Sequence, residues 1–452
     1  MRPSADVVIC GAGIAGVAAA WHLAVRQGIR RVVLVDEREP LTLTSDKGTQ
    51  GYRNWWPGPD DTMLRFVSRS IDLLEESAAE SGNVFRMNRR GYLFATADAA
   101  QVAQLESTAR DVSAFGMGPL RVHRDSDTYL ASPSEGFGDQ PTGADLLLGD
   151  QARRAFPFLA NEAIAALHVR RAGCFNGIAL GARLFQQAVA AGATFVRDRI
   201  DGVDTSGGRV RSVRLASGAT IETERYVIAA GPGLPEALQM LDLELPVFHE
   251  LHAKLTMRDP RRAVPRDAPF VIWTDPMRLE WSAEQRAALA RTDEGRRLLD
   301  PLPGGVHVRP VDLTHGDELY LIWTFETDAR SYVWPPAFNP GYADAVLRGC
   351  ARMIPALQSY DGATTGIVDG GYYCKTPENR PLIGPLAVEG AFVIGALSGT
   401  GLMSAHASGE LLSQHVAGEP LPDYARWFLP SRYADANYRT LVESWGALAG
   451  QL

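Results

Sequence analysis

The sequence predicts an α/β fold in which a Rossmann-like domain is joined to a second, α+β domain built mainly on an antiparallel sheet. A strand, a glycine turn and a helix follow one another near the N-terminus, and the same succession returns near the C-terminus. The region from 251 to 326 is richer in Trp, Pro and charge and contains strand-like runs. At 452 residues the chain also exceeds the size at which one hydrophobic core stops growing. We therefore expect two interwoven domains.

The N-terminal unit has the parts of a dinucleotide-binding motif. An apolar run at residues 7–10 ends at the turn 11–16 (GAGIAG), and a segment of helical composition follows. Gly11 allows the tight turn, Gly13 lets backbone N–H groups approach a pyrophosphate, and Gly16 lets the helix pack closely on the strand. The sequence therefore predicts a nucleotide phosphate site at this turn.

A carboxylate stands where a ribose-binding acid is expected. The second apolar run, residues 31–35, ends at Asp36 and Glu37, near the offset of about 20 residues that the motif requires. We expect Asp36 to accept hydrogen bonds from ribose hydroxyls. An acid rather than Arg here argues against a 2′-phosphate and hence against NADP, but does not separate NAD from FAD.

The second glycine turn lies near the other end of the chain. An apolar run at residues 390–397 leads into Ser398-Gly399-Thr400-Gly401-Leu402-Met403 and then into a helical segment, 405–416. The N-terminus of this helix would place partial positive charge where negative charge develops on a bound group.

The intervening chain supplies further predicted elements. A helix is expected from 60 to about 80, a hairpin at 207–215, and strands near 90–96, 226–230, 305–309 and 319–323. The segment 44–59 is too polar and glycine-rich for the core, and we expect a loop that either crosses a bound cofactor or merely connects elements.

Composition excludes several classes of function. The net charge is −8 and no basic block is present, so nucleic acid is not an expected partner. The four cysteines are far apart and show no metal-binding spacing, which indicates reduced thiols and no metal site. There is no signal-peptide pattern and no apolar stretch of about 18 residues. A cytoplasmic protein without a membrane span is expected.

Taken together, these blocks resemble the D-amino acid oxidase-like superfamily of flavoproteins, especially its sarcosine oxidase, dimethylglycine dehydrogenase and glycine/proline oxidase branch. The matching blocks occur in the family's order along almost the whole chain. They are residues 11–16 with Asp36-Glu37, 156–159 (FPFL), 226–233, 376–385 (TPENRPLIGP) and 398–403.

The resemblance implies FAD as the cofactor and assigns residues to it. The implied FAD-binding residues are Gly11, Gly13, Ile14, Ala15, Gly16, Asp36, Glu37, Arg38, Ser45, Lys47, Gly48, Thr49, Ile200, Ala230, Gly231, Gly395, Ser398, Gly399, Thr400, Gly401, Leu402 and Met403. Among these, Ile200 is expected near the adenine, the loop at 45–49 near the isoalloxazine ring, and 399–403 over its pyrimidine side. The FAD-binding domain would comprise 1–90, 151–245 and 355–425, the substrate domain 91–150 and 246–354, and the C-terminal tail 426–452.

Three positions depart from the family pattern. Tyr373 stands where many amino-acid-oxidising members carry the Arg that holds the substrate carboxylate. Gly371 replaces the cysteine that binds flavin covalently, and Cys374 is out of register with it, so we expect non-covalent FAD. The oxygen-activating Lys of the oxidases has no counterpart near 319–325. Either oxygen or another electron acceptor therefore fits the sequence.

The activity that the resemblance implies is oxidation of the C–N bond of an amino acid or small secondary or tertiary amine to an imine. Hydride loss from the carbon requires the neutral amine in a dry cavity beside flavin N5. The residues expected to contact the substrate flank the two loops that should converge on the ring: Arg53, Lys47, Tyr372, Tyr373 and Lys375.

Other polar and aromatic residues are weaker candidates. Trp55 and Trp56 could form an aromatic cage for an amine, or simply pack. His406 is expected to pack or cap rather than catalyse. Lys254 and His307 belong to the second domain, whose inner face they could line.

Two alternative functions remain open from the sequence. The first is a flavin monooxygenase or reductase, although a second dinucleotide fingerprint for NAD(P)H is not evident. The second is a flavin-binding assembly protein without turnover, because fold alone does not determine function.

Overall fold

The computed structural model describes residues 4–124, 128–311, 316–362 and 366–445. The strands are β1 (Val7–Cys10), β2 (Val32–Asp36), β3 (Gly51–Arg53), β4 (Tyr92–Thr96), β5 (Leu120–His123), β6 (Ala144–Leu148), β7 (Ala165–Val169), β8 (Ala172–Cys174), β9 (Thr194–Arg197), β10 (Ile200–Ser206), β11 (Arg209–Leu215), β12 (Thr220–Glu222), β13 (Tyr226–Ile228), β14 (Phe248–Arg258), β15 (Phe270–Trp273), β16 (Val306–Pro310), β17 (Glu318–Ile322), β18 (Gly366–Lys375), β19 (Leu382–Pro385) and β20 (Ala391–Gly395).

Helices connect and cover these strands. They are α1 (Ile14–Trp21), α2 (Thr44–Lys47), α3 (Thr62–Glu80), α4 (Ala99–Val112), α5 (Asp150–Ala155), α6 (Gly177–Ala190), α7 (Leu234–Gln239), α8 (Ala283–Leu289), α9 (Asp293–Arg297), α10 (Tyr342–Met353), α11 (Gly401–Ala417) and α12 (Ala436–Trp445). Of these described helices, none is both long enough and apolar enough to cross a membrane.

The first sheet has the order β19-β20-β13-β1-β2-β9. Its neighbours run parallel except β19, which is antiparallel to β20. Val7, Val8 and Ile9 of β1 are fully buried, as expected for a parallel strand covered on both faces. Helix α1 packs against both α6 and α11 beside this sheet. The carboxyl ends of β1 and β20 consequently bring the two glycine turns to one edge.

The second sheet has nine strands in the order β18-β14-β17-β16-β15-β4-β7-β6-β5. Most neighbours are antiparallel, while β15 with β4 and β5 with β6 are parallel. One face packs against α10 through a core that includes Leu255, Leu321 and Val346. The predicted α/β architecture with a second, mainly antiparallel sheet is confirmed.

Sheet membership differs from the predicted domain boundaries at two strands. Strands β7 and β18 lie in ranges assigned to the FAD-binding domain, yet both are hydrogen-bonded into the nine-stranded sheet. Strand β18 extends a ten-residue ladder along β14, and its second half also reaches the first domain. As a description of folding units, the boundaries stay a prediction.

The segment 44–59 contradicts its sequence-based interpretation as a polar loop outside the core. Tyr52, Asn54, Trp55 and Trp56 are all buried. The reason is that β3 pairs with β8, and the Tyr52 hydroxyl donates to the Asn88 carbonyl at 2.7 Å. Because the backbone of β3 is paired and the Tyr52 hydroxyl is bonded, this part of the segment can be buried despite its polar composition.

The C-terminal segment is packed onto the first domain rather than extended from it. The Arg432 guanidinium donates to the buried Glu378 carboxylate at 2.7 Å, and the Tyr438 hydroxyl donates to the same oxygen at 3.0 Å. The Arg380 guanidinium lies 4.4 Å from the Trp445 ring. The described part of the predicted tail, residues 426–445, is thus anchored by buried charge.

Candidate functional site

The two glycine turns line one cleft. Ile14 and Ala15 contribute from the first turn, Gly399 and Met403 from the second, and Thr49 from the loop between α2 and β3. The cleft has a volume of about 120 Å³. The predicted cofactor residues that line it are Gly13, Ile14, Ala15, Ser45, Gly48, Thr49, Gly231, Gly395, Ser398, Gly399, Gly401, Leu402 and Met403.

Backbone proximity explains why the first turn needs glycine. Gly11 has φ +107°, and a Cβ there would lie 2.4 Å from the Ala229 carbonyl oxygen. A Cβ on Gly16 would lie 2.0 Å from the Gly11 oxygen. Both distances are too short for any side chain, so the close approach of β1, α1 and the end of β13 depends on these glycines.

Asp36 and Ser45 hold the first turn in place. The Asp36 carboxylate accepts from the Ala12 N–H at 2.8 Å and from the Arg38 N–H at 2.9 Å. The Ser45 hydroxyl oxygen accepts from the Ile14 N–H at 2.9 Å. The donor and acceptor set at the end of β1 and β2 fits a nucleotide, with N–H groups in the turn and a fixed carboxylate next to it.

Some predicted cofactor residues lie elsewhere. Glu37 and Arg38 line a surface cavity with Arg197, at the end of β2. Ile200 is buried at the start of β10, and its predicted place near the adenine stays a prediction. Not among the described residues that line the cleft are Gly11, Gly16, Asp36, Glu37, Arg38, Lys47, Ile200, Ala230 and Thr400.

A larger cavity of about 710 Å³ adjoins the cleft. The residues that line both are Thr49, Gly51, Tyr373, Gly399 and Met403. Aromatic side chains form much of its wall: Trp55, Tyr92, Phe94, Phe270, Phe325 and Tyr373. Because α4 contributes the exposed Gln104, the cavity reaches solvent beside that helix.

Arg53 projects a cation into the cavity wall. Its backbone N–H donates to the Met403 sulfur at 3.2 Å, and its guanidinium carbon lies 5.4 Å from the Tyr92 ring. The Arg53 Nε is buried and, within the described residues, has no hydrogen-bond partner. Burial raises the pKa of Tyr373 to about 12, although the Arg53 charge opposes this shift. Arg53 therefore brings a positive charge to the wall of this cavity.

Tyr373 and Lys375, both predicted, line the cavity with two residues that were not predicted, Glu250 and His252. The His252 Nε2 lies 3.0 Å from Glu250, and the Lys375 ammonium donates to the other Glu250 oxygen at 3.0 Å. The Tyr373 and His252 rings stack at 3.9 Å. Burial lowers the pKa of His252, against the effect of Glu250.

Burial also affects the pKa of Glu250, but the hydrogen bonds from its partners together have the larger effect. Desolvation by itself would raise the pKa of the Glu250 carboxyl, whereas the hydrogen bonds from His252 and Lys375 lower it below its usual range. The group is thus a buried carboxylate held in its charged form by two neighbours.

Sequence reasoning missed Glu250, His252 and Thr324, although a signal was present for the first two. In β14 the polar residues Glu250, His252 and Lys254 alternate with Leu251, Ala253 and Leu255. A strand with period two places such residues on one face, and three ionisable side chains on a single face would have indicated a functional surface.

Two predicted substrate residues do not face the cavity. The Lys47 ammonium lies 2.7 Å from Asp46 and 3.5 Å from Asp369, and Lys47 is not among the described lining residues of either cavity. Tyr372 lines the cleft instead, since adjacent residues of β18 point to opposite faces. The geometry gives no support to a substrate contact for either side chain.

Buried cations from the nine-stranded sheet fix the loop that carries Lys47. The Lys254 ammonium donates to the Lys47 carbonyl at 2.9 Å, and the Arg309 Nε donates to the Thr49 carbonyl at 2.7 Å. Burial lowers the pKa of Lys254, while Asp369 opposes the shift. Lys254 therefore positions the loop below the cleft.

The remaining candidates divide between the cavity and the core. Trp55 lines the cavity, but Trp56 is not among its described lining residues, so the two do not form a cage there. His307 lines the cavity and its Nδ1 donates to the Gly305 carbonyl at 2.7 Å. His406 is buried beside His22, with ring nitrogens 3.4 Å apart, in the helix packing behind the cleft.

Cys374 lines the cleft, but its chemistry does not favour attachment to a flavin. Burial raises the pKa of its thiol to about 12, so the nucleophilic thiolate is disfavoured at neutral pH. At the position of the family's attachment cysteine, a Cβ on Gly371 would contact Thr44 at 3.3 Å.

Comparisons with known proteins agree with this geometry. The model of the family DAO, described as FAD dependent oxidoreductase, matches residues 6–415. Mouse mitochondrial dimethylglycine dehydrogenase is 24% identical over 407 residues, which are 85% of this chain and 39% of that protein. The chain therefore spans about two fifths of that relative's length.

Two further proteins are similar over large parts of the chain. The D-amino acid dehydrogenase of Rhizorhabdus wittichii is 28% identical over 299 residues, covering 57% of this chain and 69% of that protein. The crystal structure of L-proline dehydrogenase from P. horikoshii matches with a TM-score of 0.73 and 20% identity, covering 96% of this chain and 99% of that one. The latter likeness shows the fold.

Proposed function

Starting from the fact that the chain belongs to the FAD dependent oxidoreductase family and uses FAD, we propose that it oxidises the C–N bond of an amino acid or small amine to an imine. The observation that carries the proposal is the contact between the two cavities. A cleft lined by both glycine turns shares a wall with an aromatic cavity that Arg53 also lines. This arrangement suits transfer between a flavin and an enclosed small molecule.

FAD would be held by the backbone of both turns, with the Asp36 carboxylate at its ribose. When bound, it supplies a two-electron acceptor for the hydride of the substrate. The chain's own residues then have the task of orientation and exclusion of water. Tyr373, Gly399 and Met403, which line both cavities, would present the substrate carbon to the ring.

Arg53 would bind the substrate carboxylate. The family's arginine is replaced by Tyr373, but Arg53 enters the same cavity from β3. Its planar guanidinium is suited to a carboxylate, with which it can form two parallel hydrogen bonds. A substrate that carries a carboxylate near its amine, such as an amino acid, is therefore favoured over a simple alkylamine.

Three finer assignments belong to the proposal. FAD is bound non-covalently, in keeping with the buried Cys374 thiol. The four cysteines are free, which suits the reducing cytoplasm. The electron acceptor is oxygen or another oxidant, and the test below separates the two.

The test is an anaerobic screen of amino acids, N-methylated amino acids and their decarboxylated amines against the FAD-loaded protein. We expect the flavin absorbance to bleach with carboxylated substrates and more weakly with the decarboxylated ones. NADH without substrate serves as the control for a monooxygenase or reductase. Readmitted oxygen restores the colour quickly in an oxidase and slowly in a dehydrogenase. Bleaching by NADH and by none of the amines would refute the proposal.

A further inference from the structure

A hydroxyl, an imidazole and a carboxylate form a hydrogen-bonded chain on the wall of the larger cavity. The Thr324 hydroxyl lies 3.2 Å from the His252 Nδ1, and the His252 Nε2 lies 3.0 Å from the Glu250 carboxylate. All three residues line the cavity. Because a carboxylate only accepts, the Nε2 carries the hydrogen, which leaves the Nδ1 lone pair to accept from Thr324.

This hydrogen-bonded chain lies close to the cofactor cleft. His252 stacks on Tyr373 at 3.9 Å with an interplanar angle of 17°, and Tyr373 lines the cleft as well as the cavity. The imidazole thus lies one ring away from the wall that the proposed substrate and FAD would share.

The surroundings keep the imidazole neutral before the substrate arrives. The ionisable groups that face it are Glu250 on its own strand, Lys375 and Tyr373 on β18, and His307 on β16. Lys375 binds the second oxygen of Glu250 and so shares its charge. Burial lowers the pKa of His252, so the ring is neutral at neutral pH and its Nδ1 lone pair is available.

We propose that Thr324, His252 and Glu250 form a relay that removes the proton from the substrate's ammonium group; this inference rests on the proposed function. The ammonium N–H bond breaks as its proton passes to the Thr324 oxygen, while the Thr324 proton passes to the His252 Nδ1. The result is a neutral amine and an imidazolium whose charge is balanced by Glu250. The carbon can then lose its hydride to FAD, which the ammonium form cannot do because its nitrogen lone pair is occupied.

Glu250 is a positioning residue in this relay, and Lys375 acts through it. By accepting from Nε2, Glu250 selects the tautomer that turns the lone pair toward Thr324. Loss of the carboxylate would free the ring to adopt the other tautomer, in which Nδ1 has no lone pair to offer.

The cavity offers a matched control in His307. It is also a buried histidine that lines the cavity, and burial lowers its pKa to about 4. Its Nδ1 donates to a backbone carbonyl at 2.7 Å, and no carboxylate is recorded as its partner among the described residues. It therefore shares the burial of His252 but not the relay.

The experiment compares flavin reduction by an amine substrate at pH values below the amine's own pKa, using FAD-loaded full-length protein. The variants are H252Q, T324V, E250Q and H307Q, followed by anaerobic stopped-flow absorbance. In the wild type the limiting rate of reduction should fall less steeply with falling pH than in the relay variants, because the relay removes the proton from amine that binds as ammonium. In H252Q and T324V it should fall about tenfold for each pH unit, following the fraction of neutral amine. H307Q should retain the wild-type profile, whatever its maximal rate.

The possible results distinguish failure of the relay from failure of the proposed function. A profile of H252Q or T324V that runs parallel to the wild type would overturn the relay while leaving amine oxidation intact. If no amine bleaches the wild-type flavin, the proposed function itself fails. Should H252Q not bind FAD, T324V decides, because it removes only the hydroxyl and keeps the shape of the side chain.

Discussion

The cofactor cleft and the adjoining cavity are lined by different kinds of residue. The cleft is lined largely by glycine, alanine and backbone from two turns that sit at the ends of β1 and β20. The cavity is lined by large aromatic and ionisable side chains from β3, β4, β14, β15, β16 and β18. The cleft thus depends on backbone approach, whereas the cavity depends on which face of each strand a side chain occupies.

The difference indicates how tolerant each region is. A side chain added at the first turn, beside the cleft, would collide with backbone, as at Gly11. A side chain exchanged in the cavity changes what is bound but leaves the strands paired. Substitutions should therefore abolish FAD binding in the first region and redirect chemistry in the second.

The largest expected effect is that of G11A. The added Cβ would lie 2.4 Å from the Ala229 oxygen at a φ of +107°, so β1 and β13 would have to separate. We expect a protein that binds no FAD, measured as the ratio of flavin to protein absorbance. The control is G28A, since Gly28 also has a positive φ, +68°, but nothing within 4 Å. It should lose only about 1–2 kcal/mol of stability and keep FAD. Equal loss of FAD in both variants would contradict the explanation.

The next effect concerns Arg53. In R53M, a substrate carboxylate would lose a charged hydrogen-bond partner worth roughly 1.5–3 kcal/mol. Steady-state kinetics should show KM for an amino acid raised by roughly ten- to a hundredfold. The decarboxylated amine provides the internal control, and its KM should change little. A similar rise for both substrates would place the carboxylate elsewhere, and R53K should restore part of the affinity.

A smaller effect is expected behind the cleft, where His22 and His406 meet. Burial lowers the pKa of His406 to about 3 from an ordinary 6.5, so below pH 6.5 the unfolded chain binds the proton more readily. Stability is complete above that pH and is lost as pH falls toward the folded value, by up to about 1.4 kcal/mol per pH unit. H406Q should make urea unfolding less sensitive to acid. An unchanged acid dependence would exclude this histidine as a cause.

The smallest effect is that of C374A. Because the Cys374 thiol is buried and its pKa is raised to about 12, we expect no covalent bond to FAD. Acid precipitation should release all the flavin from the wild type and from C374A alike. Colour that stays with the wild-type precipitate but not with C374A would show attachment at this residue.

Several elements could be predicted because their information is local. The glycine turn with Asp36 is contiguous in sequence, and its βαβ context was sufficient to predict the strands and helix that the structure contains. Whether Trp55 and Trp56 pack or form a cage was left open by the sequence. It depends on pairing between β3 and β8, which lie more than a hundred residues apart in the sequence.

The candidate substrate residues show the same limit. The candidates Tyr373 and Lys375 line the cavity, whereas their neighbour Tyr372 lines the cleft. The ladder between β14 and β18 determines which face of the sheet each side chain of β18 occupies. A shift of this register by one residue would exchange the positions of the two tyrosines. The position of Lys47 depends on distant residues in a similar way, since its partners Asp46 and Asp369 include one from a distant strand.

By itself, the sequence determined the two glycine turns, the acid beside the first of them and the family to which the chain belongs, because each depends on residues that are close together in the chain. Only the tertiary structure decided that Arg53, Glu250, His252 and Thr324 line one cavity. Sheet register brings those side chains together, and register is a property of strands that meet only when the chain has folded.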